Sequence, residues 1–408
     1  MKHDYAVLSL SNDIVHALDL IFTKGKYTSK AIQLTLRNKN KWDDEKRRIF
    51  SETVYDVVRY WRLLWYILGD DDASSNDKNK LKDLLRVYVL YQRSKNNTLA
   101  PADKKKYPRS LIHRLSRSDH IRVIRESIPD WFDDLGVKEM GEQWDSIIHA
   151  LNQKPLTYIR VNTLKIQQRE ELIKKLRKEG VQAEPGTIGK DSILIKNKVN
   201  LFRLPSFHNG LFEVQDAASQ RVSEILEPES GMTIVDACAG EGGKTLHTAA
   251  LMNNKGKIIA LDKSIKRLKE LRRRAKRAGA DNIETRVIKN SKTIKRLKDR
   301  ADRLLLDVPC SGTGTLTRNP DIKWKLTIND LKRLIDLQWE ILEKYHKIVK
   351  VNGRIVYSAC SILPSEGERQ IKRFLEEHDQ FKLLKEECYH PDIHRTDGFY
   401  IAVMERYR

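Results

Sequence analysis

The sequence is most informative where a short apolar segment runs into a glycine-rich turn, at Thr233-Ile234-Val235-Asp236-Ala237-Cys238-Ala239-Gly240-Glu241-Gly242-Gly243-Lys244-Thr245. Such an order is typical of a strand, a tight turn and the start of a helix. Glycines let the main chain approach a ligand, and the free amides at a helix start attract a carboxylate or phosphate. The turn is not a P-loop, because Cys238 stands where that motif requires its first glycine.

Strands and helices alternate from this point onward. Further short apolar runs lie at residues 257–262, 283–288, 303–308 and 354–359, separated by helical stretches. This order predicts an α/β fold class with a doubly wound parallel sheet, whose ligand lies at the carboxyl ends of the strands. Asp262 ends the second strand about twenty residues after the turn, where a carboxylate can accept hydrogen bonds from ribose hydroxyls. The alternative for a lone aspartate at this position is a helix cap.

Two further strand ends carry a cysteine. The fourth strand is followed by Asp307-Val308-Pro309-Cys310-Ser311-Gly312, and the fifth ends in Ser358-Ala359-Cys360-Ser361. One such cysteine would usually be a packing residue, but neighbouring parallel strands would bring two thiols to one bound base. Carbon 5 of a pyrimidine becomes nucleophilic after a thiolate adds to carbon 6, and Asp307 could stabilise charge at ring nitrogen 3. The residues alone leave open which thiol is the nucleophile.

The composition favours a soluble protein with a polyanionic partner. The 408 residues include 77 lysines and arginines against 56 aspartates and glutamates, a net charge of +21. RNA is the partner that this excess suggests, although solubility alone would also explain it. We expect a cytoplasmic location, because apolar runs are too short for a bilayer and a signal peptide is not evident. The four scattered cysteines predict reduced thiols, without disulfides and without a metal site.

Three domains are predicted from the change of pattern along the chain. Residues 1–125 read as helical, 126–212 as a small α/β module and 213–408 as the α/β domain. Apolar residues at helical spacing predict helices at 9–22, 45–67 and 80–92, whereas strands are predicted at 157–161 and 192–195 around a helix at 169–179. Eight basic residues between Lys104 and Arg125, Lys106 among them, form either an RNA-facing surface or a solvated helix face.

Taken together, the motifs resemble those of RsmB/Sun-type RNA cytosine-5 methyltransferases of the NOL/NOP/Sun family. The resemblance includes Arg318-Asn319-Pro320-Asp321-Ile322-Lys323-Trp324, Val214-Gln215-Asp216-Ala217-Ala218-Ser219 and Asp397-Gly398-Phe399-Tyr400, and covers roughly residues 145–408. It implies a Rossmann-like domain with S-adenosylmethionine as cofactor. The helical start is similar to the NusB-like RNA-binding domain of RsmB.

The resemblance also implies roles for individual residues. Cys360 would be the nucleophile, Cys310 would assist release of the product, Asp307 would lie between cofactor and base, and Lys244 would favour the carboxylate of Asp307 and the nearby thiolate. The residues expected to bind the cofactor are Cys238, Ala239, Gly240, Glu241, Gly242, Gly243, Lys244, Asp262, Arg267, Asn290 and Asp307.

Three positions depart from the family pattern. Gly240-Glu241 replaces Ala-Pro and adds a negative charge beside a ligand carboxylate, so we expect the Glu241 side chain to point away. Asn290 replaces the aspartate that contacts the adenine amino group, and can accept through its amide oxygen without a charge. Asn319 replaces a histidine, which implies an altered RNA contact. The basic run from Arg272 to Arg277 is interpreted as a solvated helix face.

The expected activity is methylation of carbon 5 of a cytosine in ribosomal RNA, with the small subunit favoured by the NusB-like start. The protein would act as a monomer, through a covalent cysteine adduct, on an unstacked base. Three alternatives remain open. Transfer RNA could be the substrate, or the protein could be a noncatalytic ribosome-assembly factor, or a methyltransferase for proteins or small molecules that shares only the cofactor turn.

Overall fold

A computed structural model describes residues 2–70, 77–105 and 107–408 of the chain. Lys106, counted above in the basic stretch, lies outside the described residues. The chain forms two compact units, one of Met1–Asn152 with Arg318–Lys325 and one of Gln153–Thr317 with Leu326–Arg408. Of the helices described, none is long and apolar enough to cross a lipid bilayer.

The first unit is helical. Its helices before residue 153 are α1 (Lys2–Ser9), α2 (Ser11–Phe22), α3 (Thr28–Leu36), α4 (Asp44–Arg59), α5 (Trp61–Leu68), α6 (Lys78–Lys95), α7 (Pro101–Lys104), α8 (Arg109–Arg117), α9 (Arg122–Arg125), α10 (Asp130–Met140) and α11 (Trp144–Leu151). Their apolar faces bury Leu18, Trp65 and Leu84 in one core. The single helix predicted at 45–67 is two helices, because Tyr60 leaves the helical conformation at φ −103° and ψ 23°.

The second unit begins with a small antiparallel sheet. It contains β1 (Thr157–Val161), α12 (Arg169–Lys178), β2 (Ala183–Pro185), β3 (Ser192–Ile195), α13 (Pro205–His208), β4 (Phe212–Val214) and α14 (Ala217–Ile225). The strand order is β2-β3-β1-β4, and every pair is antiparallel. The helical unit extends to Asn152, beyond the predicted boundary at residue 125. Two compact units do not by themselves decide how many domains the chain contains, so the division into three domains stays a prediction.

A seven-stranded sheet forms the rest of this unit, in the order β10-β11-β9-β8-β5-β6-β7. Its elements are β5 (Thr233–Asp236), α15 (Gly243–Leu251), β6 (Lys257–Asp262), α16 (Ile265–Ala278), β7 (Ile283–Val287), α17 (Ser291–Lys295), β8 (Ala301–Asp307), α19 (Ile328–Tyr345), β9 (Val349–Ala359), α20 (Glu368–Glu377), β10 (Phe381–Tyr389), α21 (Pro391–His394) and β11 (Phe399–Arg406). The short helix α18 (Ile322–Lys325) belongs to the helical unit.

The predicted α/β class is confirmed, since β5 to β9 are parallel and both faces of the sheet are covered. Alternate residues feed two separate cores, as with Leu304 on one face and Leu305 on the other. Strands β8 and β9 are neighbours, as the argument about the two cysteines required. The antiparallel edge strands β10 and β11 were not predicted.

Candidate active site

A cavity of about 600 Å³ opens at the carboxyl ends of β5, β6 and β8. Its size lies in the range of small-molecule binding sites. The predicted cofactor residues that line it are Cys238, Ala239, Gly240, Glu241, Gly243, Lys244, Asp262, Arg267 and Asp307. The other two, Gly242 and Asn290, lie outside this lining. The topology therefore brings the end of β8 and the segment 238–243, which we call the cofactor turn, to one cavity.

Positive backbone angles shape the cofactor turn. Gly240 and Gly242 have φ values of +55° and +88°, a region that glycine occupies without a steric penalty. A side chain at Gly242 would also collide with α16, because its Cβ would lie 2.6 Å from Cγ of Leu271. Gly242 therefore gives the turn its close packing against α16 and does not contribute a wall of the cavity.

Asp262 connects the turn to the next helix. Its Oδ2 accepts a hydrogen bond from the amide of Gly240 at 3.0 Å, and its Oδ1 accepts one from the amide of Ser264 at 2.6 Å. Ser264 is the N-cap of α16, so Asp262 supports the start of that helix while it also lines the cavity. Each carboxylate oxygen keeps a second lone pair for a ribose hydroxyl.

Asn290 has a different partner from the one expected. Its Oδ1 accepts a hydrogen bond from the amide of Lys292 at 3.0 Å and caps α17. Asn290 lines a neighbouring cavity of about 560 Å³, which shares Ile288 and Tyr345 with the first. The amide oxygen that we expected to meet adenine is thus engaged with the main chain.

Lys244 and Asp307 form an ion pair at the cavity wall. Lys244 Nζ donates to Asp307 Oδ2 at 2.8 Å, and the Ser358 hydroxyl donates to Asp307 Oδ1 at 2.9 Å. Lys244 also lies 4.9 Å from the ring centre of Phe399. Both carboxylate oxygens of Asp307 are therefore held in place, one by Lys244 of α15 and the other by Ser358 of β9.

The two predicted thiols are in contact. Sγ of Cys310 and Sγ of Cys360 lie 3.2 Å apart, within hydrogen-bond distance for sulfur. The hydrogen bond with Cys360, burial and the charge of Glu366 together raise the pKa of Cys310 well above its ordinary value. Cys310 therefore keeps its proton and can donate it to the sulfur of Cys360.

A buried carboxylate that the sequence analysis missed connects the loops that follow the two cysteines. Glu366 is fully buried and accepts from the Ser311 amide at 2.8 Å, the Ser311 hydroxyl at 2.5 Å and the Ser361 hydroxyl at 2.5 Å. Gln338 Nε2 donates a fourth hydrogen bond at 2.9 Å. Since Ser311 and Ser361 directly follow Cys310 and Cys360, Glu366 fixes both loops relative to each other. No sequence motif indicated this role.

Asp236 is a second missed residue. It ends β5, lines the cavity, and accepts a hydrogen bond from the Thr245 hydroxyl at 2.7 Å. Burial raises the pKa of Asp236 to about 7, although the Thr245 hydroxyl opposes the shift. S-adenosylmethionine carries an ammonium and a sulfonium group, and the carboxylates of Asp236, Asp262 and Asp307 in this wall fit those cations. These acidic side chains thus suit the predicted cofactor.

The basic run on α16 is only partly solvated, so its interpretation as a solvated face is wrong for two members. Arg272 and Arg273 are exposed, but Arg274 and Arg277 both pair with Glu213, which is only 3% exposed. A buried carboxylate needs such partners, and this explains why the two arginines turn inward. The side chain of Glu241 is exposed, whereas its carbonyl oxygen accepts a hydrogen bond from Arg274.

The segment around Asn319 belongs to the helical unit. Lys323 is 3% exposed, and its Nζ donates to the carbonyl oxygens of Arg59 at 2.7 Å and Glu126 at 3.2 Å and to Asn152 Oδ1 at 3.0 Å. Trp324 packs against the helical core and donates from Nε1 to the carbonyl of Val58. These two residues of the predicted RNA-contacting motif are therefore internal to that unit.

Comparison with known proteins adds two family matches and several relatives. The family described as 16S rRNA methyltransferase RsmB/F matches residues 223–405, and an RsmF/B-like ferredoxin-like domain matches residues 128–201. Ribosomal RNA small subunit methyltransferase B of Proteus mirabilis is 33% identical, with 100% of both chains covered. The probable enzyme of that name from Synechocystis is 31% identical over 94% of this chain and 96% of its own. The crystal structure of PH0851 covers 98% of both chains with a TM-score of 0.78 and 26% identity.

Proposed function

Because the chain belongs to the RsmB/F methyltransferase family, we propose that it methylates carbon 5 of a cytosine in the RNA of the small ribosomal subunit. The name of the full-length relatives, ribosomal RNA small subunit methyltransferase B, supports ribosomal RNA over transfer RNA as the substrate. S-adenosylmethionine is the cofactor and, when bound, supplies the methyl group. The observation that carries the choice of carbon 5 is the thiol pair beside the cofactor cavity.

Two thiols in contact suit a reaction that makes and then breaks a bond between carbon and sulfur. The thiolate of Cys360 adds to carbon 6, and the electron pair of the carbon 5–carbon 6 double bond makes carbon 5 the nucleophile. After methylation a base removes the carbon 5 proton, the carbon–sulfur bond breaks, and its electron pair returns to Cys360. The raised pKa of Cys310 supports its assignment as the protonated partner that assists release.

Asp307 and Lys244 suit the electrostatics of this addition. Asp307 would accept a hydrogen bond from ring nitrogen 3 of the cytosine once that nitrogen has taken up a proton, which offsets the negative charge that develops on the ring as the thiolate adds. Lys244 donates to one oxygen of Asp307 at 2.8 Å, and Ser358 orients the other oxygen. An orienting pair of this kind reduces the rearrangement needed when the base enters.

The substrate base must leave its stack to reach the thiols. Cysteine side chains at strand ends cannot reach carbon 6 of a cytosine that is stacked inside an RNA duplex. A base in a single-stranded loop, or one flipped out of its duplex, is therefore the expected target. The net charge of +21 supplies general affinity for the RNA backbone. We further propose that the protein acts as a monomer in the cytoplasm and uses no metal.

The test is methyl transfer from labelled cofactor to total RNA that lacks the modification, with the methylated nucleoside identified by mass. Wild type is compared with Cys360→Ala, Cys310→Ala and the control Cys388→Ala, which removes a thiol on β10 that pairs with Glu368 and belongs to none of the motifs. We expect 5-methylcytidine in small-subunit RNA from wild type and from Cys388→Ala. Cys360→Ala forms no product, and Cys310→Ala accumulates a covalent adduct with RNA.

Each other outcome points to a different error. Label in transfer RNA would mean that transfer RNA, and not ribosomal RNA, is the substrate. An adduct on Cys360→Ala rather than on Cys310→Ala would exchange the two thiols. Measurable cofactor binding without methylation of any RNA would contradict the enzymatic function and favour the alternative hypothesis, a noncatalytic ribosome-assembly factor.

A further inference from the structure

Arg160 reaches the cofactor turn from the small antiparallel sheet. It lies on β1 with a side chain that is fully buried, and its Nη1 donates to the carbonyl oxygen of Gly243 at 2.8 Å and also to Gln215 Oε1. Burial lowers the pKa of Arg160 to about 10, and the charge of Glu213 opposes the shift. Arg160 is therefore a cation at neutral pH, held against one end of the turn.

Arg274 holds the same turn at a second carbonyl. Its Nη1 donates to the carbonyl oxygen of Glu241 at 3.0 Å, and its Nη2 donates to Glu213 at 2.9 Å. Glu213 lies on β4 directly opposite Arg160 in the register of β1 and β4. The cross-strand pair of Arg160 and Glu213 therefore acts on the turn in two ways. Arg160 contacts the turn directly, and Glu213 acts through Arg274.

These contacts fix amide directions inside the turn. A peptide unit is planar and trans, so a carbonyl held on one side turns the next amide N–H to the other side. The hold on the Glu241 carbonyl agrees with the direction of the Gly242 N–H, which donates to the Ala239 carbonyl at 2.9 Å, and the hold on the Gly243 carbonyl sets the N–H of Lys244. The hydrogen bond from Arg160 to the Gly243 carbonyl also orients the backbone of Lys244, whose amine pairs with Asp307.

We propose that Arg160 and Arg274 are positioning residues that hold the cofactor turn in the geometry that binds S-adenosylmethionine, with Glu213 holding Arg274 in place. The turn contains Gly240 and Gly242 at positive φ and no proline, so it has much conformational freedom to lose when it is ordered. The buried arginines remove that freedom before the cofactor arrives. The small antiparallel sheet thereby tunes cofactor affinity through residues that do not react.

The experiment measures cofactor binding by calorimetry on the full-length protein in the absence of RNA, so it does not depend on the proposed substrate. Arg274→Ala, Glu213→Gln and the double variant are compared with Arg273→Ala. Arg273 is the exposed neighbour on the same helix, and it pairs with Glu270. This control removes the same charge without touching the turn.

We expect Arg274→Ala and Glu213→Gln each to weaken cofactor binding about tenfold, and the double variant to bind no more weakly than the worse single variant, because the residues act as one unit. Arg273→Ala should bind as wild type does. With RNA present, the KM for the cofactor should rise in the two single variants while kcat at saturating cofactor changes by less than about twofold.

Three results would overturn the inference. Because Arg274 also lines the cavity, weaker binding in Arg274→Ala with unchanged binding in Glu213→Gln would make Arg274 a direct ligand. Lower melting temperatures with unchanged cofactor affinity would leave both residues a purely structural role. If Glu213→Gln does not fold, Arg160→Lys replaces it, since lysine keeps the charge but not the guanidinium geometry. Unchanged affinity in that variant would also be contrary to the proposal.

Discussion

At the scale of single residues, Glu366 accepts four hydrogen bonds and so connects several segments around the two cysteines. Replacing it with alanine leaves the Ser311 amide and the Gln338 side chain without their buried acceptor. We expect Glu366→Ala to lower the free energy of unfolding by about 2–4 kcal/mol, measured by chemical denaturation. Glu366→Gln should lose less, because an amide keeps one acceptor oxygen.

A matched control for Glu366 lies ten residues further along the chain. Glu376 is exposed on α20, and its replacement by alanine should leave the free energy of unfolding nearly unchanged. A loss in Glu366→Ala no larger than in Glu376→Ala would mean that the four hydrogen bonds contribute nothing to the connection between the two cysteine loops.

Asp236 gives a prediction about pH. A carboxyl whose folded-state pKa is raised to about 7 contributes stability at low pH, and that contribution is lost as the pH rises from about 4 through about 7. Relative to Asp236→Asn, the cofactor-free wild type should therefore lose stability between pH 5 and pH 7, by at most about 1.4 kcal/mol per pH unit. Urea unfolding at pH 5, 6, 7 and 8 measures this difference.

Asp302 is the control for that titration. Burial would raise the pKa of Asp302, but hydrogen bonds from Lys350 and the Thr233 amide lower it below its usual value. Its contribution is lost only at acid pH, so the difference between wild type and Asp302→Asn should stay constant from pH 5 to pH 8. A constant difference for Asp236→Asn as well would contradict the raised pKa.

At the scale of elements, the cofactor turn depends on its contact with α16. Gly242→Ala should weaken cofactor binding, because the added Cβ would lie 2.6 Å from Leu271 and would push the turn away from α16. Gly180 is the matched control, since its φ of +80° is similar but nothing lies within 4 Å of an added Cβ. Gly180→Ala should cost about 1 kcal/mol of stability and leave cofactor affinity unchanged. Equal cofactor binding by both variants would show that the packing against α16 does not matter.

Elements with a strong local pattern were predictable from the sequence. The strands predicted at 157–161, 192–195 and 257–262 agree with the structure residue for residue, because each is a short apolar run with clear boundaries. Strand β10 was missed, since residues 382–386 are exposed and charged or polar for the most part, and give no alternation. Its hydrogen bonds to β11 supply what the pattern lacks.

The site was predictable only in part, for a related reason. The two cysteines could be brought together by sheet topology alone, because parallel neighbouring strands end at the same edge. Glu366 and the pair of Arg160 with Gly243 could not, since such contacts join positions far apart in the chain and depend on side-chain packing. For Asn290, a local helix cap engages the oxygen that was assigned to a ligand, so its contact with adenine stays a prediction.

At the scale of the whole molecule, the residues 318–325 complete the helical unit although both flanking segments belong to the other unit. Lys323→Ala removes the three hydrogen bonds that the buried Nζ donates, and we expect it to destabilise the helical unit by about 2–4 kcal/mol. Tryptophan fluorescence during denaturation reports on this unit, because every tryptophan except Trp339 lies in it.

The exposed Lys332 on α19 provides the control for this substitution. Lys332→Ala removes the same charge and should leave the unfolding curve where it is in wild type. If both variants unfold alike, the three hydrogen bonds of Lys323 do not stabilise the helical unit.

The position of the segment 318–325 in the chain has a consequence for synthesis on the ribosome. Most of the helical unit is translated first, but Lys323 and Trp324 are added only when nearly four fifths of the 408 residues have been made. Until then the core around Val58 and Arg59 lacks its last side chains. Since domains generally fold as units during synthesis, we expect the nascent helical unit to reach its final stability late, close to the translation of β9, which precedes Cys360.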